Sequence, residues 1–193
     1  MLLFITANMW LLEQIKSFNH PQSQRIYDFI TREPQCFSRE CREGHVTGSA
    51  LVLNHDHSKA LLTYHKKLNR WLQLGGHSDG DPNTREVALR EAQEESGIQN
   101  LEFVTKNIID VDVHLIPQSK TEAQHHHYDI RFFLRAPKGS EIKKSSESKD
   151  LKWFRARDIL NLKTDESTLR LVHMWQEDYP TLSKSLEHSK ASL

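Results

Sequence analysis

The chain has 193 residues, of which 37% are hydrophobic and 27% charged, with 26 Lys and Arg against 26 Asp and Glu. That length can bury one sizeable core. The charge balance argues against a protein whose main work is gripping nucleic acid or an anionic membrane, and 7 Gly with 6 Pro exclude collagen-like and Pro/Gly-rich disordered classes. A mean hydropathy of −0.66 without a long apolar run excludes a membrane-embedded bundle.

The apolar start Met1 to Ile5 carries no preceding basic residue and is interrupted by Glu13, so neither a signal peptide nor an anchor is expected. Residues 9–18 place Trp10 or Leu11, Ile15 and Phe18 at helical spacing, and a second helix follows Pro21, with Ile26, Phe29 and Ile30 on one side and Pro34 as its stop. Residues 1–44 therefore read as a helical N-terminal extension, which could support a homodimer or roof a pocket. Cys36 and Cys41 are too few for a disulfide framework. With His45 they offer three zinc ligands, but structural zinc sites close with four and no fourth stands nearby. Reduced thiols, and hence a reducing cytoplasm, are the expectation.

From Val46 the texture becomes strand-like. Residues 46–54 and 60–64 form two strands around the turn His55 to Ser58, and Trp71 to Leu74 forms a third that enters a loop from Gly75 to Pro82. A helix follows from Asn83 to Ser96, with Asn83 and Glu86 as a capping box and Gly97 as a left-handed stop. Residues 108–115 and 125–134 alternate strictly. The first sends Ile109, Val111, Val113 and Leu115 to one face and Asp110, Asp112 and His114 to the other; the second opposes Tyr128, Ile130 and Phe132 to His125, His127, Asp129 and Arg131. The ionisable faces are expected to line a polar cleft. Residues 136–150 read as a surface loop, residues 151–154 as a strand, and two helices follow near Ala156 and over 166–177. The segment 181–193 reads as a polar tail.

The chemistry concentrates on the helix after Pro82. Glu91, Glu94 and Glu95 stand at i, i+3 and i+4, so their carboxylates leave one helical face. Three like charges this close repel, and a hard divalent cation such as Mg2+, which takes oxygen ligands, reverses the sign. Gly76, then Arg90, Glu91, Ala92, Glu94, Glu95, Gly97 and Ile98 are in register with the pattern of the Nudix box, and the segment resembles it at every specified position but one, where Pro82 replaces the first Glu.

That resemblance implies a Nudix-type α/β/α sandwich with a mixed sheet over residues 45–180. It implies a hydrolase that cleaves the diphosphate linkage of a nucleoside diphosphate joined to another group. Glu91, Glu94 and Glu95 would bind Mg2+, with Mn2+ as an alternative ion; Glu94 would assist proton removal from water, Arg90 would orient the carboxylates, and Gly76 would allow a tight turn. The lost Glu removes a brace on the loop, which Pro82 can stiffen by its fixed φ and which Asp79, Asp81 or Glu86 could replace as the partner of Arg90. A catalytically silent nucleotide-binding module is the alternative, favoured by Pro82 alone. The family's isomerase branch is ranked last, because no cysteine follows the third strand.

Twelve histidines are a further feature. If the two alternating strands are neighbours, His77, His114, His125, His127 and Asp129 converge near the phosphate cleft as phosphate-binding, proton-transfer or extra metal-binding groups. Of these, His77 and His127, together with Gly76, are the expected substrate contacts, and His126 is expected to be structural. Tyr128, Trp153 and Phe154 are read as core, Glu147 as plain loop, and the run His65, Lys66, Lys67 with Arg70 as a solvated turn.

Overall fold

The computed structural model describes residues 2–119, 123–146 and 148–179. In chain order the elements are α1 (Leu2–Ser17), α2 (Ser23–Arg32), β1 (Gly44–Leu53), β2 (Ala60–His65), β3 (Arg70–Leu72), β4 (Leu74–His77) and α3 (Thr84–Ser96). They continue with β5 (Glu102–Phe103), β6 (Asp110–Ile116), β7 (His125–Arg135), β8 (Ser148–Phe154), α4 (Ala156–Ile159) and α5 (Glu166–Asp178). The architecture is the expected α/β one, a mixed sheet with helices and two further helices at the N-terminus. The described residues form two compact units, one drawn from within 1–49, 75–91 and 105–132, the other from within 50–74, 92–104 and 133–193. Strands β1 and β7 and helix α3 contribute residues to both.

In the first unit, the apolar stripe of α2 puts Ile26, Phe29 and Ile30 into the core beside Leu11 and Ile15 of α1. The Phe29 ring stacks on Tyr128 of β7 with centroids 3.9 Å apart, and Gln22 accepts the Val113 N–H at 2.5 Å. The N-terminal helices thus share the core of this unit. Strand β6 pairs antiparallel with β7, setting His114 opposite His127, Asp112 opposite Asp129 and Asp110 opposite Arg131. β4 pairs with β1, and α3 presses so close to β1 that a Cβ on Gly48 would lie 2.7 Å from the Thr84 carbonyl oxygen. Only glycine fits there.

In the second unit, β2 pairs with β3, with β8 and with the end of β1, where Val52 faces Leu61 and Leu53 faces Ala60. Leu51, Leu53, Leu61 and Leu62 fill its core. Asp165 caps α5 by accepting the Thr168 N–H at 2.8 Å, and the buried Trp175 indole donates to the His57 carbonyl at 3.1 Å. Gly97 ends α3 at φ +71°, the left-handed stop expected of it.

Several expectations change, and one is that β8 begins at Ser148, three residues inside the segment read as a loop. The strand read at 71–74 is two strands: it breaks at Gln73, and β4 runs on through Gly75, Gly76 and His77, which were expected in a loop. The short β5 escaped the sequence reading, because two residues leave no period to detect. The polar face of β6 and β7 does not line an open cleft along its whole length: Asp110, Asp112, Asp129 and Arg131 are all buried, whereas Leu115, expected on the core face, is 49% exposed. The segment 181–193 lies outside the described residues.

Candidate active site

Helix α3 carries the acidic trio. Val87, Ala88 and Ala92 are buried on its packing side, and the 3.6-residue period then brings Glu91, Glu94 and Glu95 to a common flank. Glu95 is buried, Glu91 largely so, and Glu94 exposed. Arg90 donates from Nη1 to the Glu91 carboxylate at 2.6 Å and from Nη2 to the His77 carbonyl at 3.0 Å, so one guanidinium ties the helix to the end of β4. Gly76 matters for a different reason than the tight turn expected. It lies on β4, and a Cβ there would stand 2.3 Å from Oε2 of Glu91, so the missing side chain is the space the carboxylate occupies. Asp79 is bound by Arg39 at 2.5 and 3.1 Å, and that guanidinium holds its carboxyl below the ordinary range. Pro82 is buried just before the helix. Oxygen donors of this kind suit a hard divalent ion that keeps several waters. The carboxylates themselves are not drawn into a tight cluster, with Glu91 held by Arg90.

The imidazoles gather in the first unit. Among the described residues, the set whose ligand atoms all lie within 4.8 Å of one another is His45, His77 and His127. The pairing of β6 with β7 brings His114 to the same side, its Nδ1 3.0 Å from Asp112. His45 was missed as a member, having been weighed only with the cysteines. A signal was present, since His45, Thr47 and Ser49 alternate along β1 as one polar face. Cys36 and Cys41 are free and buried, and burial pushes the Cys36 thiol up to about 12. Glu147 lies outside the described residues.

Beneath that face sits a buried ion network. Arg131 donates to Asp129 at 2.8 Å and to Asp110 at 3.3 Å, and approaches Asp112 at 3.6 Å. Thr47 and Ser49 donate their hydroxyls to Asp129 at 2.9 and 2.7 Å. Burial opposes the charge on Arg131, but the surrounding carboxylates overcome it and raise the guanidinium's pKa further. Tyr128 is buried as expected, whereas Trp153 and Phe154 are only half-buried.

Comparison with known proteins supports one lineage. A family model described as the NUDIX domain matches residues 44–176. An Ap4A hydrolase from C. elegans, in a binary complex, aligns with a TM-score of 0.55 at 15% identity, over 68% of this chain and 94% of that one. A NUDIX-family hydrolase from Clostridium perfringens aligns with a TM-score of 0.51 at 27% identity, over 67% and 93%. The E. coli dihydroneopterin triphosphate pyrophosphohydrolase gives 0.51 at 15% identity, over 67% and 93%. Comparison with curated protein sequences returns no significant match. No helix among the described residues is long and apolar enough to cross a membrane. With the box register on α3 and the family match over most of its length, the chain belongs to the Nudix family.

Proposed function

We propose that the protein hydrolyses the diphosphate linkage of a nucleoside diphosphate joined to another group, with Glu91, Glu94 and Glu95 holding a divalent ion. The observation that carries this reading is the acidic trio on α3 together with the Arg90 brace on Glu91 and the Gly76 space that admits its carboxylate. Mg2+, or Mn2+ in its place, would neutralise phosphate oxygens and acidify a bound water. The protein's own contributions are positional. Arg90 spends one donor on Glu91 and one on the His77 carbonyl, so the carboxylate is oriented before substrate arrives. Glu94, the exposed member, is the group assigned to accept a proton from the attacking water. Water adds to one phosphorus, the bridging P–O bond breaks, and two phosphate-bearing products leave. The substrate class rests on family membership, and the cytoplasmic setting on two free, buried thiols.

Phosphate release over a panel of nucleoside-diphosphate derivatives, with and without Mg2+ or Mn2+, tests the reading. Metal-dependent turnover of at least one compound is expected. Binding of panel members without turnover under every condition would favour the silent module that Pro82 suggests.

A further inference from the structure

Five imidazoles share one region of the first unit, and the diphosphate chemistry just described uses none of their rings. The His45 ring centroid lies 4.9 Å from His77, 4.8 Å from His127 and 4.9 Å from His125. His77 and His127 are 5.1 Å apart, and His114 lies 5.4 Å from His127. They come from separate pieces of chain: β1 brings His45, β4 brings His77, and the register of β6 on β7 brings His114 to His127.

What such a cluster binds depends on which ring nitrogens keep their lone pairs free to coordinate. Nε2 of His127 and Nε2 of His125 are buried without a hydrogen-bond partner. The Nδ1 of His125 lies 2.8 Å from the Ala123 carbonyl, which can only accept, so the proton sits on Nδ1 and Nε2 keeps its lone pair. The Nδ1 of His114 is oriented in the same way by Asp112 at 3.0 Å.

We propose that His45, His77 and His127 form a binding site for a first-row transition-metal ion of the zinc class. Three imidazole nitrogens suit such an ion and not Mg2+, so the two metals would be sorted by donor chemistry. Their ligand atoms lie within 4.8 Å of one another, and ligands around a tetrahedral zinc sit about 3.3 Å apart, so closure needs shifts on the order of an ångström. The His125 ring lies 4.9 Å from that of His45 and 5.2 Å from that of His127. The site has a mechanical consequence: the residue that would hold the ion by its ring, His77, accepts from Arg90 at its carbonyl, and Arg90 orients Glu91. The ion would pin the strand end on which that brace rests.

The test is zinc titration by calorimetry on the full chain after chelator treatment, with 10 mM-scale (roughly) Mg2+ present to saturate oxygen sites, and visible absorption after Co2+ loading. One ion per chain is expected, undisturbed by Mg2+ and with the spectrum of nitrogen ligation. His45→Ala and His127→Ala should weaken it by more than the roughly 10–100-fold that loss of an outer-shell partner costs. The Cys36→Ser/Cys41→Ser double variant and Glu94→Gln should keep it. X-ray absorption of the zinc-loaded wild type reads the ligands directly should a histidine variant fail to fold. Imidazole nitrogen in the first shell supports the site. Sulfur or oxygen ligation alone, zinc displaced by Mg2+, unchanged affinity in folded histidine variants, or no zinc binding overturns it.

Discussion

Adding a methyl group at Gly76 separates the positioning of Glu91 from the stability of the fold. A Cβ at that position would lie 2.3 Å from Oε2, 2.5 Å from Cδ and 2.9 Å from Oε1 of Glu91. Ordinary carbon–oxygen contacts are ~1 Å longer, so the carboxylate must withdraw by about that much. The obstacle is the end of a flexible side chain, so β4 can stay in place. The loss on the stability side is the Arg90–Glu91 contact at 2.6 Å, whose guanidinium is 41% exposed. Discounted for solvent screening, it is worth ~1 kcal/mol or less, a fall of roughly 2–4 °C in Tm. The cost to catalysis is larger, since a 1 Å misplacement of a positioning group costs about 100-fold in kcat. The neighbour behaves oppositely: a Cβ on Gly75 would meet Ser49 Cβ at 2.3 Å and Ser49 Cα at 2.6 Å, fixed backbone of β1. Gly75→Ala should therefore destabilise by about 1–3 kcal/mol or more. Urea unfolding and steady-state kinetics on Gly76→Ala and Gly75→Ala check both. A Gly76→Ala enzyme with kcat within threefold (roughly) of wild type would refute the argument that Gly76 is kept for Glu91.

Arg131→Met leaves Asp110, Asp112 and Asp129 buried without the guanidinium they share, and should cost about 3–5 kcal/mol in urea unfolding, with partial recovery when Asp129→Asn is added. A loss below ~1 kcal/mol would contradict the burial of that network. For Cys36, burial raises the folded thiol to about 12, above its unfolded value. Its contribution to stability is then complete below the unfolded pKa and lost as pH rises toward 12. Native Cys36 should resist alkylation near pH 8.5 and react once the chain is unfolded, as peptide mapping by mass spectrometry will show.

The legible parts of this protein are those with a period or a frame. The i, i+3, i+4 stripe on α2 and the box on α3 each span enough residues for burial to follow from spacing, and both helices form where expected. Alternation located β6 and β7, and their pairing brings the polar residues together as anticipated. It could not say whether that polar face meets solvent. Asp110 and Asp112 on β6 are buried against Arg131 of the neighbouring β7, and Asp129 of β7 is held by Arg131 on its own strand and by Thr47 and Ser49 of β1, pairings that the spacing within one strand does not reveal. The alternation of His45, Thr47 and Ser49 marks a polar face of β1, but its convergence with His77 and His127 depends on other strands. The break at Gln73 that separates β3 from β4 leaves no mark in hydrophobic period. The role of Gly76 is set by a side chain 15 positions along the chain, Glu91.

The central claim is that the carboxylates of α3 act together on a divalent ion and a diphosphate. Glu94→Gln removes one negative charge while keeping the shape of the exposed member, so folding should be unchanged. With a substrate identified from the panel, the variant's kcat in saturating Mg2+ should fall by about two to three orders of magnitude, the several kcal/mol that metal-assisted chemistry supplies. Wild-type turnover together with wild-type Mg2+ affinity in that variant would contradict the account.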